Sequence, residues 1–153
     1  MNTTLLVENN SELEDFYSLN LHTWVGCNVV SVTDAKFAIE YLQNNDPVDV
    51  IISRSKINSE RSAEAIYDFI SDKKNPPKLI VLGASPLAKD KVVHLPTGLD
   101  AKSLVKTTAS QLGVTAKDMA MKVVPNFFPI PANLFILLNK SICDVYSFNE
   151  DSQ

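Results

Sequence analysis

Up to Gly113, short apolar runs alternate with segments of helical periodicity, the order expected when parallel strands are joined by crossover helices. Leu5, Leu6 and Val7 form the first run. Ser11 and Glu14 read as an S-x-x-E capping box, and Leu13, Phe16, Tyr17 and Leu21 follow at helical spacing, which predicts a helix directly after that strand. Cys27 to Val32 is a β-branched second strand. Thr33 or Asp34 caps the next helix, whose inward stripe is Ala35, Ala38, Ile39 and Leu42, and Asn44-Asn45-Asp46-Pro47 ends it.

Val48 to Ile52 is apolar except for Asp49, as in a strand covered on both faces, and predicts the most buried strand of the sheet. A third helix is expected from near Ser59 to Asp72 with Ala63, Ile66, Phe69 and Ile70 inward, stopped by Asn75-Pro76-Pro77. Lys78 to Leu82 reads as strand four and Val92 to Leu95, closed by Pro96, as a short strand five. Asp100 caps a last helix with Leu104, Val105, Ala109 and Leu112 toward the core, and Gly113 is its stop. The alternation predicts an α/β fold over residues 1–113. Residues 114–153 do not extend it: prolines, the apolar cluster Leu134 to Leu138 and a strand-like Ile142 to Phe148 read as a connector or the start of a second module.

Composition narrows the function classes. Of 153 residues 45% are hydrophobic and 21% charged, which fits a folded chain with one ordinary core. A net charge of -4 with scattered Lys and Arg offers no basic footprint, so neither nucleic acid nor an anionic membrane surface is an expected partner. The first ten residues lack a secretory signal pattern, and the expectation is a cytoplasmic protein. Cys27 and Cys143 lie far apart in apolar surroundings without a CxxC, as buried thiols in a reducing compartment do. His22 and His94 stand alone, so no metal site is expected on them, and Phe16, Tyr17 and Trp24 read as core.

Four fragments in order carry a resemblance: TTLLVENN, VTDAKFAIEYLQNNDPVDVIISR, KLIVLGAS and VVHLP, with the helical pattern between them, resemble the receiver domain of two-component response regulators. The resemblance implies a flavodoxin-like (βα)5 three-layer fold with a parallel sheet for residues 1–113. Between Gly83 and Leu95 only eleven residues intervene, which implies that the family's helix four, between strands four and five, is shortened or missing. It also implies a site. In the family a carboxylate at the end of strand three takes a phosphoryl group, an acidic pair after strand one holds Mg²⁺, and a hydroxyl and a Lys bind the phosphoryl oxygens. An anionic nucleophile beside a divalent cation is what that chemistry needs.

The matched positions read otherwise. The acidic pair is Glu8-Asn9, the phosphoacceptor falls on Arg54, the hydroxyl position on Gly83 and the Lys position on Leu95, followed by Pro96, which is usually cis in the family. A slip of one residue would put Ser53 or Ser55 at the nucleophile position, and neither restores aspartyl-phosphate chemistry. Glu8, Asn9, Arg54, Gly83, Leu95 and Pro96 thus form a degenerate phosphorylation pocket with no catalytic, metal or cofactor assignment. A pairing of Arg54 with Glu8 in the vacated metal site is expected, in competition with an Arg54 that simply reaches solvent or one that contacts an anion or nucleotide.

The expected role is a non-phosphorylatable pseudo-receiver, not an enzyme, that contacts a protein partner or controls an attached effector domain. A homodimer is the better-supported oligomeric state, given the apolar tail and the lost helix. Residues 124–148 are similar to a stretch that leads into cyclic-di-nucleotide signalling modules, from which no activity follows. The alternative is a small-ligand or nucleotide-binding domain that uses the carboxyl edge of the sheet, where Gly83 leaves space. It lacks a Gly-rich phosphate loop after strand one.

Overall fold

The computed structural model describes residues 1–117 except Asp46. Five strands, β1 (Thr3–Val7), β2 (Asn28–Val32), β3 (Val50–Arg54), β4 (Lys78–Leu82) and β5 (Val93–Leu95), form one parallel sheet in the order β2-β1-β3-β4-β5. Helices α1 (Ser11–Asn20), α2 (Ala35–Asn44) and α3 (Ser62–Ile70) provide the crossovers from β1 to β4, and α4 (Ala101–Leu112) follows β5. The fold is the α/β architecture that the alternation predicts, in the three layers that the receiver resemblance implies. β3 sits at the centre, and Val50, Ile51, Ile52 and Ser53 are all buried, so its apolar run is what a strand sandwiched between two helical layers requires.

The pleat divides the core in two. Leu5, Val7, Ile51, Leu79 and Val81 pack with Ala38, Ala63 and Ile66 on the α2/α3 side. Leu6, Val50, Ile52, Ile80 and Leu82 pack with Leu13, Tyr17 and Leu104 on the α1/α4 side. Successive residues of a strand point to opposite faces, so each strand feeds both layers. No helix forms between β4 and β5 among the described residues. Leu87 and Val92 pack from that connection onto the α2/α3-side core instead, and the Ser85 hydroxyl meets His94 Nε2 at 2.7 Å.

Several local expectations need correction. The cap of α1 is Asn10: its backbone is extended and its Oδ1 accepts the Leu13 N–H. Ser11 Oγ turns to Glu12, while Glu14 accepts hydroxyls from Ser18 and Ser31. Burial works against the Glu14 carboxylate, but those hydroxyls together hold it below its ordinary range. α1 runs on through a π turn, Leu21–Val25, that ends at left-handed Gly26. β2 begins at Asn28, one residue later than expected, and Cys27 lies buried before it with Sγ 3.5 Å from Thr4 Oγ1. Burial pushes that thiol up, which suits an inert core cysteine. Ile39, Leu42 and Phe69 are only half-buried. α3 starts at Ser62, three residues late, because the chain first makes a tight hairpin. No peptide bond among the described residues is cis, so Pro96 follows a trans bond, unlike the family's usual form.

The module expected over 114–153 lies outside the described residues from 118 on, as do Cys143 and the 124–148 segment. No described helix is long and apolar enough to cross a membrane. Asp100 caps α4 as expected, its carboxylate accepting the Ser103 N–H at 3.2 Å and the Ser103 hydroxyl at 2.7 Å. The Ser103 hydroxyl, then its N–H, hold the Asp100 carboxyl below its usual value. A carboxyl depressed in the folded state contributes stability above its unfolded pKa and loses it as pH falls through the folded one. Asp100→Ala should therefore cost about 1 kcal/mol near pH 7, a difference that shrinks below about pH 4 in urea denaturation curves.

Candidate functional site

A parallel sheet puts the carboxyl ends of all its strands on one edge, and the crossovers reverse direction between β1 and β3, where such sheets form their crevice. Glu8 follows β1, Arg54 ends β3, Gly83 follows β4 and Leu95 ends β5. Val7 pairs with Ser53 and Arg54 with Leu82, which sets Arg54 at the carboxyl end of β3 one step beyond buried Ser53. Ser53 is fully buried with its hydroxyl on the Arg54 carbonyl. Arg54 is the residue that reaches the crevice.

Its guanidinium Nη2 donates to Glu8 Oε2. The Glu8 side chain is 1% exposed and that of Arg54 38% exposed, so the pair spans from interior to surface. The same Glu8 oxygen accepts the Asn10 N–H at 3.0 Å. A buried carboxylate without a partner costs several kcal/mol, and two donors including a cation satisfy this one. Tyr17 of α1 stands in the same field: burial, then the Glu8 charge, push its hydroxyl far above the ordinary phenol value, against a smaller opposite pull from Arg54. It stays neutral.

The loop after β3 carries two residues that sequence reasoning did not single out. Ile57 and Glu60 exchange backbone hydrogen bonds of 2.9 and 3.0 Å, with Asn58 at φ 53° and Ser59 at φ 67° between them. Two left-handed central residues make a primed hairpin turn, at a cost of order 1 kcal/mol for a serine. Buried Ile57 roots the hairpin in the core, and Asn9 Nδ2 donates to Asn58 Oδ1 at 3.1 Å.

The remaining members of the expected pocket do not converge on Glu8 and Arg54. Gly83 has φ 107°, and a Cβ there would lie 2.9 Å from Ser55 Oγ. The space that glycine was expected to leave is therefore filled by the Ser55 side chain. Leu95 packs onto the α1/α4-side core and its carbonyl accepts the Gly83 N–H at 2.7 Å. Pro96 is exposed.

The receiver resemblance implies a Mg²⁺ at this edge, and the residues present do not fit one. Glu8 is committed to Arg54, Asn9 to Asn58, and Arg54 adds a fixed positive charge. A divalent ion about 4 Å from a guanidinium meets a repulsion of the order of 8 kcal/mol at an effective dielectric of about 20. No cluster of three or more His, Cys, Asp or Glu among the described residues could hold a metal ion.

No protein-family model and no curated protein matches the chain. Solved structures do. A signal receiver domain assigned to a Luxo repressor protein of Vibrio parahaemolyticus superposes with a TM-score of 0.60 at 22% identity, over 73% of this chain and 90% of that one. A response regulator receiver domain from Bacillus halodurans gives 0.60 at 14% identity, over 72% and 96%. The chemotaxis protein CheY4 of Vibrio cholerae gives 0.58 at 21% identity, over 72% and 98%. The described part of the chain has the receiver-domain fold.

Proposed function

We propose that this chain is a receiver-fold module that has lost phosphoryl acceptance and acts in signal transduction through protein contact, either with a separate partner or on an attached output domain. One observation carries the reading: the residue at the carboxyl end of the central strand is Arg54, and its guanidinium rests on the acidic residue that follows β1. A guanidinium has five donors, no acceptor and no accessible neutral form, so it cannot attack phosphorus. Ser53 is buried and Ser55 is folded against Gly83, and an alkoxide at either would need a base that the Glu8–Arg54 pair does not supply.

A module of this kind is not an enzyme, needs no cofactor, and signals by what it touches. A bacterial signalling context fits the bacterial sources of its structural neighbours, and a homodimer is part of the same proposal. The rival, a small-ligand or nucleotide sensor at the same edge, loses support because Ser55 takes up the space beside Gly83.

The test is incubation with acetyl phosphate and Mg²⁺, followed by intact mass, and with beryllofluoride and Mg²⁺, followed by thermal shift. Neither treatment should change the protein. A hydroxylamine-labile phosphoryl adduct or a beryllofluoride-dependent stabilisation would overturn the reading, and a nucleotide-specific thermal shift would favour the rival.

A further inference from the structure

The misfit between the edge residues and a metal ion has a positive side, and it rests on the pseudo-receiver reading. The β1–α1 and β3–α3 loops flank the crevice and are joined at two places. Arg54 donates to Glu8, whose Oε2 also takes the Asn10 N–H, and Asn10 in turn caps α1. A few residues away Asn9 Nδ2 donates to Asn58 Oδ1 at the tip of the primed hairpin. The first joint is charge-assisted and internal on its Glu8 side; the second is neutral and exposed. The hairpin is itself anchored by Ile57, 1% exposed, so the tip cannot drift without pulling on the core.

We propose that Arg54 is a resident cation that latches these two loops in a single arrangement, making the carboxyl edge of the sheet indifferent to divalent metal. A metal-dependent edge can be in two states, bound and free, and a ligand shifts it only by its differential affinity for them. A side-chain cation is covalently part of the chain and removes the free state, so the surface shown to a partner is constant. The hairpin at 57–60 and the start of α1 are then parts of one rigid face.

Hydrogen exchange on the full chain tests this. The reporters are the amides of Asn10, Ile57 and Glu60, each of which donates within the latched loops. In the wild type their exchange should be identical in EDTA and in about 10 mM Mg²⁺, a concentration that would occupy a millimolar site. Arg54→Ala and Glu8→Gln should each accelerate these three amides ~10-fold or more beyond any change at Ile51 and Ile52 in the central strand, which report global opening. Arg54→Lys, which keeps the charge but not the fork, should lie between. Should Arg54→Ala fail to fold, Asn9→Ala cuts only the exposed joint and should speed Ile57 and Glu60 while sparing Asn10. Slowing of the wild-type loop amides by Mg²⁺, or unchanged loop exchange relative to the strand in both Glu8→Gln and Arg54→Ala, overturns the latch. Absence of phosphorylation together with unchanged loop exchange removes the latch alone, whereas a Mg²⁺-dependent phosphoryl adduct removes the pseudo-receiver reading beneath it.

Discussion

Arg54→Asp should destabilise the protein by about 3 kcal/mol in EDTA and make it more responsive to divalent cations than the wild type. The Glu8 side chain is 1% exposed and has the Arg54 guanidinium and the Asn10 N–H as its donors. Removing a cation from a buried pair costs about 3–5 kcal/mol because the surviving charge keeps its desolvation penalty without its partner. Arg54 is more than a third exposed, so water screens its end and the lower figure applies. The substitution also adds a second carboxylate beside the first, and like charges at that distance cannot both stay ionised cheaply. A divalent cation between the two carboxylates, with the Asn9 amide oxygen turned to it, answers both problems. At about a hundredfold excess over its dissociation constant, an ion that binds only the folded state returns about 2.7 kcal/mol. Urea denaturation of wild type and variant, each with EDTA and with Mg²⁺ or Mn²⁺, measures all four values. A variant as stable as the wild type in EDTA, or a wild type that gains as much from the ion, contradicts the charge balance assigned to this edge.

What the sequence discloses of this fold follows from how local each determinant is. β3 and β4 are legible because a strand sandwiched between two helical layers must be apolar at nearly every position, and Val50 to Ile52 and Leu79 to Leu82 are. Asp100 is legible as a cap because it is the one good acceptor directly before its helix, whereas Thr33 and Asp34 both qualify before α2 and Asp34 takes the role. The start of α1 is less so: Asn9, Asn10 and Ser11 are all capping residues, and the choice falls on Asn10 because its own N–H is already held by Glu8. Ser59 looks like a helix N-cap by residue type, yet it sits at φ 67° in a turn. Primed turns usually announce themselves with glycine, and here Asn58-Ser59 takes the conformation because Ile57 and Asn9 hold either side of it. The pairing of Glu8 with Arg54 could be anticipated because both lie at strand ends that parallel register brings together. Ser55 against Gly83 could not, since it depends on where one side chain after β3 points.

Gly98→Ala is the second large effect, and it comes from outside the crevice. A Cβ at Gly98 would stand 2.6 Å from Tyr17 Cε1, 2.8 Å from Cζ and 3.0 Å from Leu82 Cδ1. Contacts that short do not persist, so either the loop before α4 or the Tyr17 ring must move. The ring is 4% exposed and packed among Leu13, Leu82 and Leu104, and a rigid aromatic in a full core has no alternative rotamer nearby. Overpacking of this kind costs about 2–3 kcal/mol. Tyr17→Leu alone should lose about 2–4 kcal/mol through the ring volume it removes. In that background, however, the two ring contacts are gone and only the tip of Leu82, 3.0 Å away, must give, so Gly98→Ala should then cost under about 1 kcal/mol, a coupling near 1–2 kcal/mol. Equilibrium urea denaturation of the four proteins gives that coupling directly, and additive losses would show that the ring is not what requires glycine at 98. Because the Tyr17 hydroxyl lies in the field of Glu8 and Arg54, displacing the ring also disturbs the pair, so Gly98→Ala should loosen the Asn10 amide in hydrogen exchange although residue 98 is remote from it in sequence. The glycine thus protects the carboxyl edge of the sheet by giving α1 room to hold its tyrosine.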